Sequence, residues 1–274
     1  MPIWRNGAGT GLWGTPGNWD TGAIPTAATD AIFDNLSPDC TVNITTAVCR
    51  NLNFNSGTGY TNTITMTNNI TVGATAATPN HSVILSSGMG VAGTGAILTR
   101  ANGTTTLTSN GKVWPNALTI NSVIIGATST ATLTDNWTVG SLSLSGAGNN
   151  FLTLNGAFTI TVNGNLFVGM TGGTVSRVAT TTGSVSTIKL VGTGTWSTAA
   201  TFAAAGTSAI GFGPNLIIDA PGQTITIANN CFYGGLGVIG GVSNFTYVAG
   251  TVVHSGTFRL LSAQGGPTYS VNIN

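Results

Sequence analysis

The chain has 274 residues, 41% of them hydrophobic and only 5% charged, and carries a formal net charge of +1. Disordered chains combine low hydrophobicity with high net charge, so this one is read as folded around a continuous core. The cations Arg5, Arg50, Arg100, Lys112, Arg177, Lys189 and Arg259 form no cluster, which argues against nucleic acid as a partner because phosphate binding needs a basic stripe.

Residues 1–39 stand apart in composition. The opening from Met1 to Gly11 has neither the basic region nor the apolar run of a signal peptide, and no apolar stretch of the chain approaches about eighteen residues, so neither a cleaved signal nor a membrane span is expected. Trp4, Trp13 and Trp19, three of the six tryptophans, gather here with Ile24, Ile32 and Phe33 in a loop-rich segment containing Pro16 and Pro25. Four of the six acids are here too, Asp20, Asp30, Asp34 and Asp39, and the chain has no Glu. Their spacing matches no calcium loop; they read as turn-closing side chains, and no metal or cofactor is expected.

The pattern Trp13-x5-Trp19-Asp20-x-Gly22-x-Ile24-Pro25-x4-Asp30-x2-Phe33-Asp34 resembles the opening of β-helical virion proteins of phages and of passenger-like bacterial surface proteins. The resemblance covers about the first 35 residues and implies a tryptophan-rich cap or docking segment, with Trp4, Trp13, Trp19, Ile24 and Phe33 as its core, ahead of a coil array.

Residues 40–274 are expected to be that array. Helix formers are sparse, and apolar and small polar residues alternate in Thr41–Thr45, Asn51–Asn55, Asn62–Thr67 and Ser141–Ser145, the period of a half-buried strand. Glycine punctuation at Gly57, Gly73, Gly103, Gly111, Gly146, Gly156 and Gly164 keeps the strands short. Partial internal matches recur: Arg50–Gly59 with Gly140–Gly148, Leu107–Trp114 with Leu190–Trp196, and after each of those tryptophans a Pro-Asn pair, Pro115-Asn116 and Pro214-Asn215. These features predict an all-β chain wound as a parallel β-helix, with one or two β-sandwiches as the alternative. Coils of roughly 20 to 25 residues would make about ten of them.

Candidate chemistry is thin. Gly9–Gly14, Gly88–Gly93 and Gly235–Gly240 match G-x-G-x-x-G, but none opens a predicted helix that could receive a phosphate. His81 and His254 are far apart and read as packing or surface residues. Beyond the cap the only acids are Asp135 and Asp219, read as turn residues rather than the paired carboxylates of a polysaccharide-cleaving enzyme. Cys40, Cys49 and Cys231 have no CxxC spacing and read as buried thiols, with a Cys40–Cys49 bond as the alternative. The sequons Asn43-Ile44-Thr45, Asn69-Ile70-Thr71 and Asn136-Trp137-Thr138 are unremarked in a chain this rich in Asn and Thr.

The expectation is therefore a non-enzymatic structural protein of the virion surface, a phage capsid decoration or cement protein, assembling as a homotrimer on a major capsid or other virion protein. The alternative is a tail fibre or spike, or an adhesin at the bacterial cell surface, in which Trp137, Trp196, Phe232 and Tyr233 stack on glycan rings or else close coil corners. A polysaccharide-degrading β-helix enzyme is the outsider.

Overall fold

The computed structural model describes residues 1–73, 80–100, 103–122, 128–146, 151–169, 176–180, 186–198, 210–212, 214–228, 231–235, 243–254, 258–261 and 269–273. Among them the only helical element is the single 3-10 turn Pro16–Asn18, and the rest of the regular structure is strand. The strands stack as a parallel β-solenoid. One sheet is ten strands deep, running from Ala31–Asp34 through Leu52–Ser56, Asn80–Ile84, Gly103–Thr108, Thr128–Leu133 and Phe151–Asn155 to Phe258–Leu261. Its pairings are parallel except for Ile210–Phe212 against Cys231–Gly235. Sandwiches are built from antiparallel sheets, so this pairing settles the architecture.

Two further faces close each coil. The second begins as the three-stranded sheet Cys40–Val42, Thr63–Met66 and Gly90–Gly93, and the third with Val48–Cys49, Ile70–Val72 and Ile97–Arg100. They merge in two ten-residue strands, Val113–Ser122 and Trp137–Gly146, whose pairing breaks register between Trp114 and Ala117. Beyond them the faces separate again. Trp137–Val139 pairs with Ile160–Val162 on the second face, and Leu142–Leu144 pairs with Leu166–Val168 on the third. Asn215–Ile227 reunites the two.

The alternation read from the sequence fills the interior in columns. Trp114, Val139, Val162, Leu190 and Ile218 stack in register on the second face, and Leu52, Val83 and Leu107 do so on the ten-stranded sheet. All eight are buried, and each aliphatic member withdrawn from water contributes on the order of 1.5–3 kcal/mol. The step between partners is not constant: it is 21 residues from Ala31 to Leu52, 31 from Leu52 to Val83 and 34 from Val178 to Phe212. The expected coil of 20 to 25 residues therefore holds only in places, because connections of unequal length leave the strand stack undisturbed.

Candidate functional site

The tryptophan-rich segment is a plug. Trp4, Trp13, Trp19 and Phe33 are buried, and Ile24 is half-buried against the same cluster. The Trp19 ring meets Trp4 at 5.2 Å and Trp13 at 4.9 Å, both edge to face, and Phe33 stacks at 4.7 Å on Phe54 of the following coil. Edge-to-face contacts set the negative faces of the rings against positive edges. The Trp19 indole N–H donates to Trp13 O at 2.9 Å, and the Trp4 indole N–H to Pro38 O at 3.0 Å. Backbone pairing continues the coil stack into the plug: Trp4 N–H donates to Ile32 O at 2.9 Å and Trp13 N–H to Thr41 O at 2.8 Å. The first strand of the ten-stranded sheet, Ala31–Asp34, thus lies inside residues 1–39, and plug and coils share hydrogen bonds rather than meeting at a linker.

Each N-terminal carboxylate has a structural partner. Asp34 takes both Nη atoms of Arg5, at 2.9 and 2.7 Å, and Asp30 takes Nε and Nη2 of Arg50, at 2.7 and 2.9 Å. Asp20 accepts Ile3 N–H and Asp39 accepts Thr63 N–H. The Arg5 hydrogen bonds hold the Asp34 carboxyl below its usual range, against the opposing effect of burial. A carboxylate depressed in the folded state stabilises it fully above the unfolded value, near 3.9, and loses that contribution as pH falls through the folded value. Acid unfolding followed by tryptophan fluorescence should therefore show an Asp34-dependent limb. In Asp34→Asn that limb is expected to disappear while stability at neutral pH drops, and an unchanged acid profile would remove this pair from the account.

Asp135 behaves as the turn residue expected of it. Its carboxylate accepts Ser109 N–H at 2.8 Å and Asn110 N–H at 2.6 Å from the preceding coil, bracketing a turn in which Asn110 has φ +51°. Asp219 departs from that expectation: it lies within a strand and pairs with Lys189 Nζ at 2.6 Å, one coil below. Lys189 and Asp219 are distant in sequence but separated by a single coil step, so the partner was invisible without the register.

The two histidines share one geometry. His81 Nδ1 lies 3.1 Å from Arg50 O and His254 Nδ1 lies 3.0 Å from Ile227 O, in each case the carbonyl one coil below. His81 is buried, tucked over Gly73, whose absent side chain leaves room for the imidazole. Of the G-x-G-x-x-G segments, Gly90–Gly93 is a strand, and the residues after Gly235 lie outside the described ones.

Trp137 and Trp196 are 1% and 0% exposed. An indole so enclosed has no face for a sugar ring, so both belong to the coil interior; the side chains of Phe232 and Tyr233 lie outside the described residues. Near the far end an apolar cavity of about 460 Å³ is lined by Ile227, Phe245, Tyr247, Val252, His254 and Phe258. Its two polar side chains each turn an atom to backbone, His254 Nδ1 to Ile227 O and the Tyr247 hydroxyl to Gly250 O, while the buried His254 Nε2 has no hydrogen-bond partner among the described residues.

Cys40, Cys49 and Cys231 are buried thiols, and none of them is in a disulfide. Burial pushes the Cys40 and Cys49 thiols well up, and for Cys49 the nearby Asp30 charge adds to it. Alkylation under native conditions should leave all three unmodified, with labelling appearing only through the unfolding transition. Rapid native labelling at any of them would contradict this burial.

The feature that sequence reading missed is an acceptor one residue before the first inward side chain of a strand. Asp39, Asn51, Asn69, Asn136, Asn165 and Asn215 each accept, through a side-chain oxygen, the backbone N–H of the residue facing them on the next coil, at 2.7–2.9 Å. Ser141 Oγ does the same for Asn165 N–H at 3.1 Å. Two of the sequons, at Asn69 and Asn136, fall on this device: the Asn is the acceptor, the next residue points inward and the Thr outward. Among the described residues no group of three or more His, Cys, Asp or Glu is placed to hold a metal, and no helix is long and apolar enough to cross a membrane. Searches against protein-family models, curated proteins and solved structures return no match to this chain.

Proposed function

We propose that this chain is a non-enzymatic structural protein of the virion surface, a phage capsid decoration or cement protein that assembles as a homotrimer on a major capsid protein. The observation that supports the reading is the use of charge. Each charged side chain that is described has an internal partner: Arg5 with Asp34, Arg50 with Asp30, Lys189 with Asp219, Lys112 with Met89 O, and Asp20, Asp39 and Asp135 with backbone N–H groups. What remains outward is Thr, Ser and Asn together with apolar side chains such as Leu36, Val113 and Val253, a surface on which neighbouring copies approach without like-charge repulsion. The resemblance of the first 35 residues to phage and bacterial surface β-helices points the same way.

Mass spectrometry of purified virions encoding the chain tests the reading. Many copies per particle are expected, and a trimeric mass for the purified protein by sedimentation. Absence from the particle would overturn it, and reproducible binding on a glycan array would favour the fibre, spike or adhesin reading instead.

A further inference from the structure

We propose that the side-chain acceptors at strand starts are a register lock: they hold neighbouring coils against a slip of two residues, which the hydrophobic pattern by itself permits. A slip of one residue turns every inward side chain out and is strongly disfavoured. A slip of two keeps inward residues inward. Where Trp137 and Val139 face Ile160 and Val162, a two-residue shift would merely set Val139 over Ile160 or Trp137 over Val162, exchanging apolar for apolar. The outward rows of Thr and Ser discriminate no better, since Thr138 faces Thr161 in register and would face Thr159 or Asn163 after a slip.

The lock works because it acts where the chain turns. Within the ladder each N–H directed to the coil below finds the carbonyl of the residue preceding its partner, as Asn163 N–H finds Val139 O at 3.0 Å. At the first position of the strand that carbonyl belongs to the corner. At Thr159 the Asn136 side chain supplies the acceptor instead, at 2.9 Å. At other strand starts the backbone supplies the acceptor: Thr187 N–H donates to Phe158 O and Asn215 N–H to Ser186 O. At the strand starts that carry it, the side-chain acceptor marks one residue as the start of pairing. A slipped coil would leave that first N–H, which is solvent-exposed at Thr159 and at Asn165, to water instead of its side-chain acceptor, so each site biases the register by the net worth of one hydrogen bond. Between the Trp137–Gly146 coil and the next there are two such locks, Asn136 and Ser141.

Spin labelling tests this on the full chain. Nitroxides on Thr138→Cys and Thr161→Cys face each other at the strand spacing of about 4.8 Å, whereas Thr138→Cys with Asn163→Cys are roughly 8 Å apart across the diagonal. In the parent background the first pair is expected to give the exchange-coupled spectrum and the second pair none. With Asn136→Ala and Ser141→Ala together, the coupled fraction of the first pair should fall and coupling should appear in the second. Restoring acceptors, as Asn136→Asp with Ser141→Thr, should return the parent pattern. If the doubly unlocked protein folds and couples only through the in-register pair, the proposal is overturned. If it does not fold, Asn136→Ala alone decides, and a spectrum identical to the parent's in both label pairs overturns it equally.

Discussion

Trp19→Ala should be the most damaging single truncation in the plug, lowering the stability of the chain by about 3–5 kcal/mol in denaturant unfolding. Trp19 is 2% exposed and is the ring on which Trp4, Trp13 and Phe33 converge, so its removal opens a cavity that three rigid aromatic neighbours cannot collapse to fill. It also removes the indole donor from Trp13 O. The consequence reaches beyond the local loss, because the plug covers the first coil, and an uncovered sheet end pairs with other chains. Light scattering should therefore rise in the variant before global unfolding. Trp19→Phe keeps an aromatic body without the donor and is expected to recover more than half of the loss. A Trp19→Ala protein within about 1 kcal/mol of the parent would mean that the plug is not integral to the fold.

The clustering of the N-terminal tryptophans was legible from composition, and the structure buries all three. The acids beside them read as turn-closing side chains, and the bidentate pairs of Asp34 with Arg5 and of Asp30 with Arg50 were not foreseen. The repeats were misread in detail for a physical reason. Arg50–Gly59 and Gly140–Gly148 look alike, yet Leu52 and Phe54 belong to the ten-stranded sheet while Leu142 and Leu144 belong to the third face. Leu190 and Leu107 likewise stand on different faces. Every face asks the same thing of a strand, an apolar residue inward and a small polar one outward, so strands on different faces converge on one pattern. Similarity of that kind reports the solenoid without reporting which strands stack.

Asp219 and the strand-start acceptors were hidden differently. Both depend on which residue stands one coil away, and with steps that vary between 21 and 34 residues no fixed spacing exposes it. The acceptors did leave a local signal, an Asn or Asp immediately before the first inward apolar residue, as in Asn51-Leu52, Asn69-Ile70, Asn165-Leu166 and Asn215-Leu216. In a chain rich in Asn and Thr this passes for background. What distinguishes it is position relative to the strand, and the sequon at Asn136 is the same signal in another guise.

Gly140→Ala is the second large effect, expected to cost about 3 kcal/mol although it adds one methyl group. A Cβ on Gly140 would lie 1.9 Å from Pro115 O, and one on Gly164 2.6 Å from Gly140 O. On Gly194 it would be 2.2 Å from Gly164 O. Three coils are thus threaded by one column in which each glycine rests on the carbonyl of the coil beneath. The obstacle is backbone, so no rotamer change relieves it; the coils must part, and parting them lengthens the ladder hydrogen bonds on both sides. Gly22 supplies the control. It has φ +67° and nothing within 4 Å of its missing side chain, so Gly22→Ala meets only the left-handed backbone penalty of about 1–2 kcal/mol. If Gly140→Ala unfolds no earlier than Gly22→Ala in the same denaturant series, close packing of the corners is not what holds this column, and the spacing of the coils must be set by the strands alone.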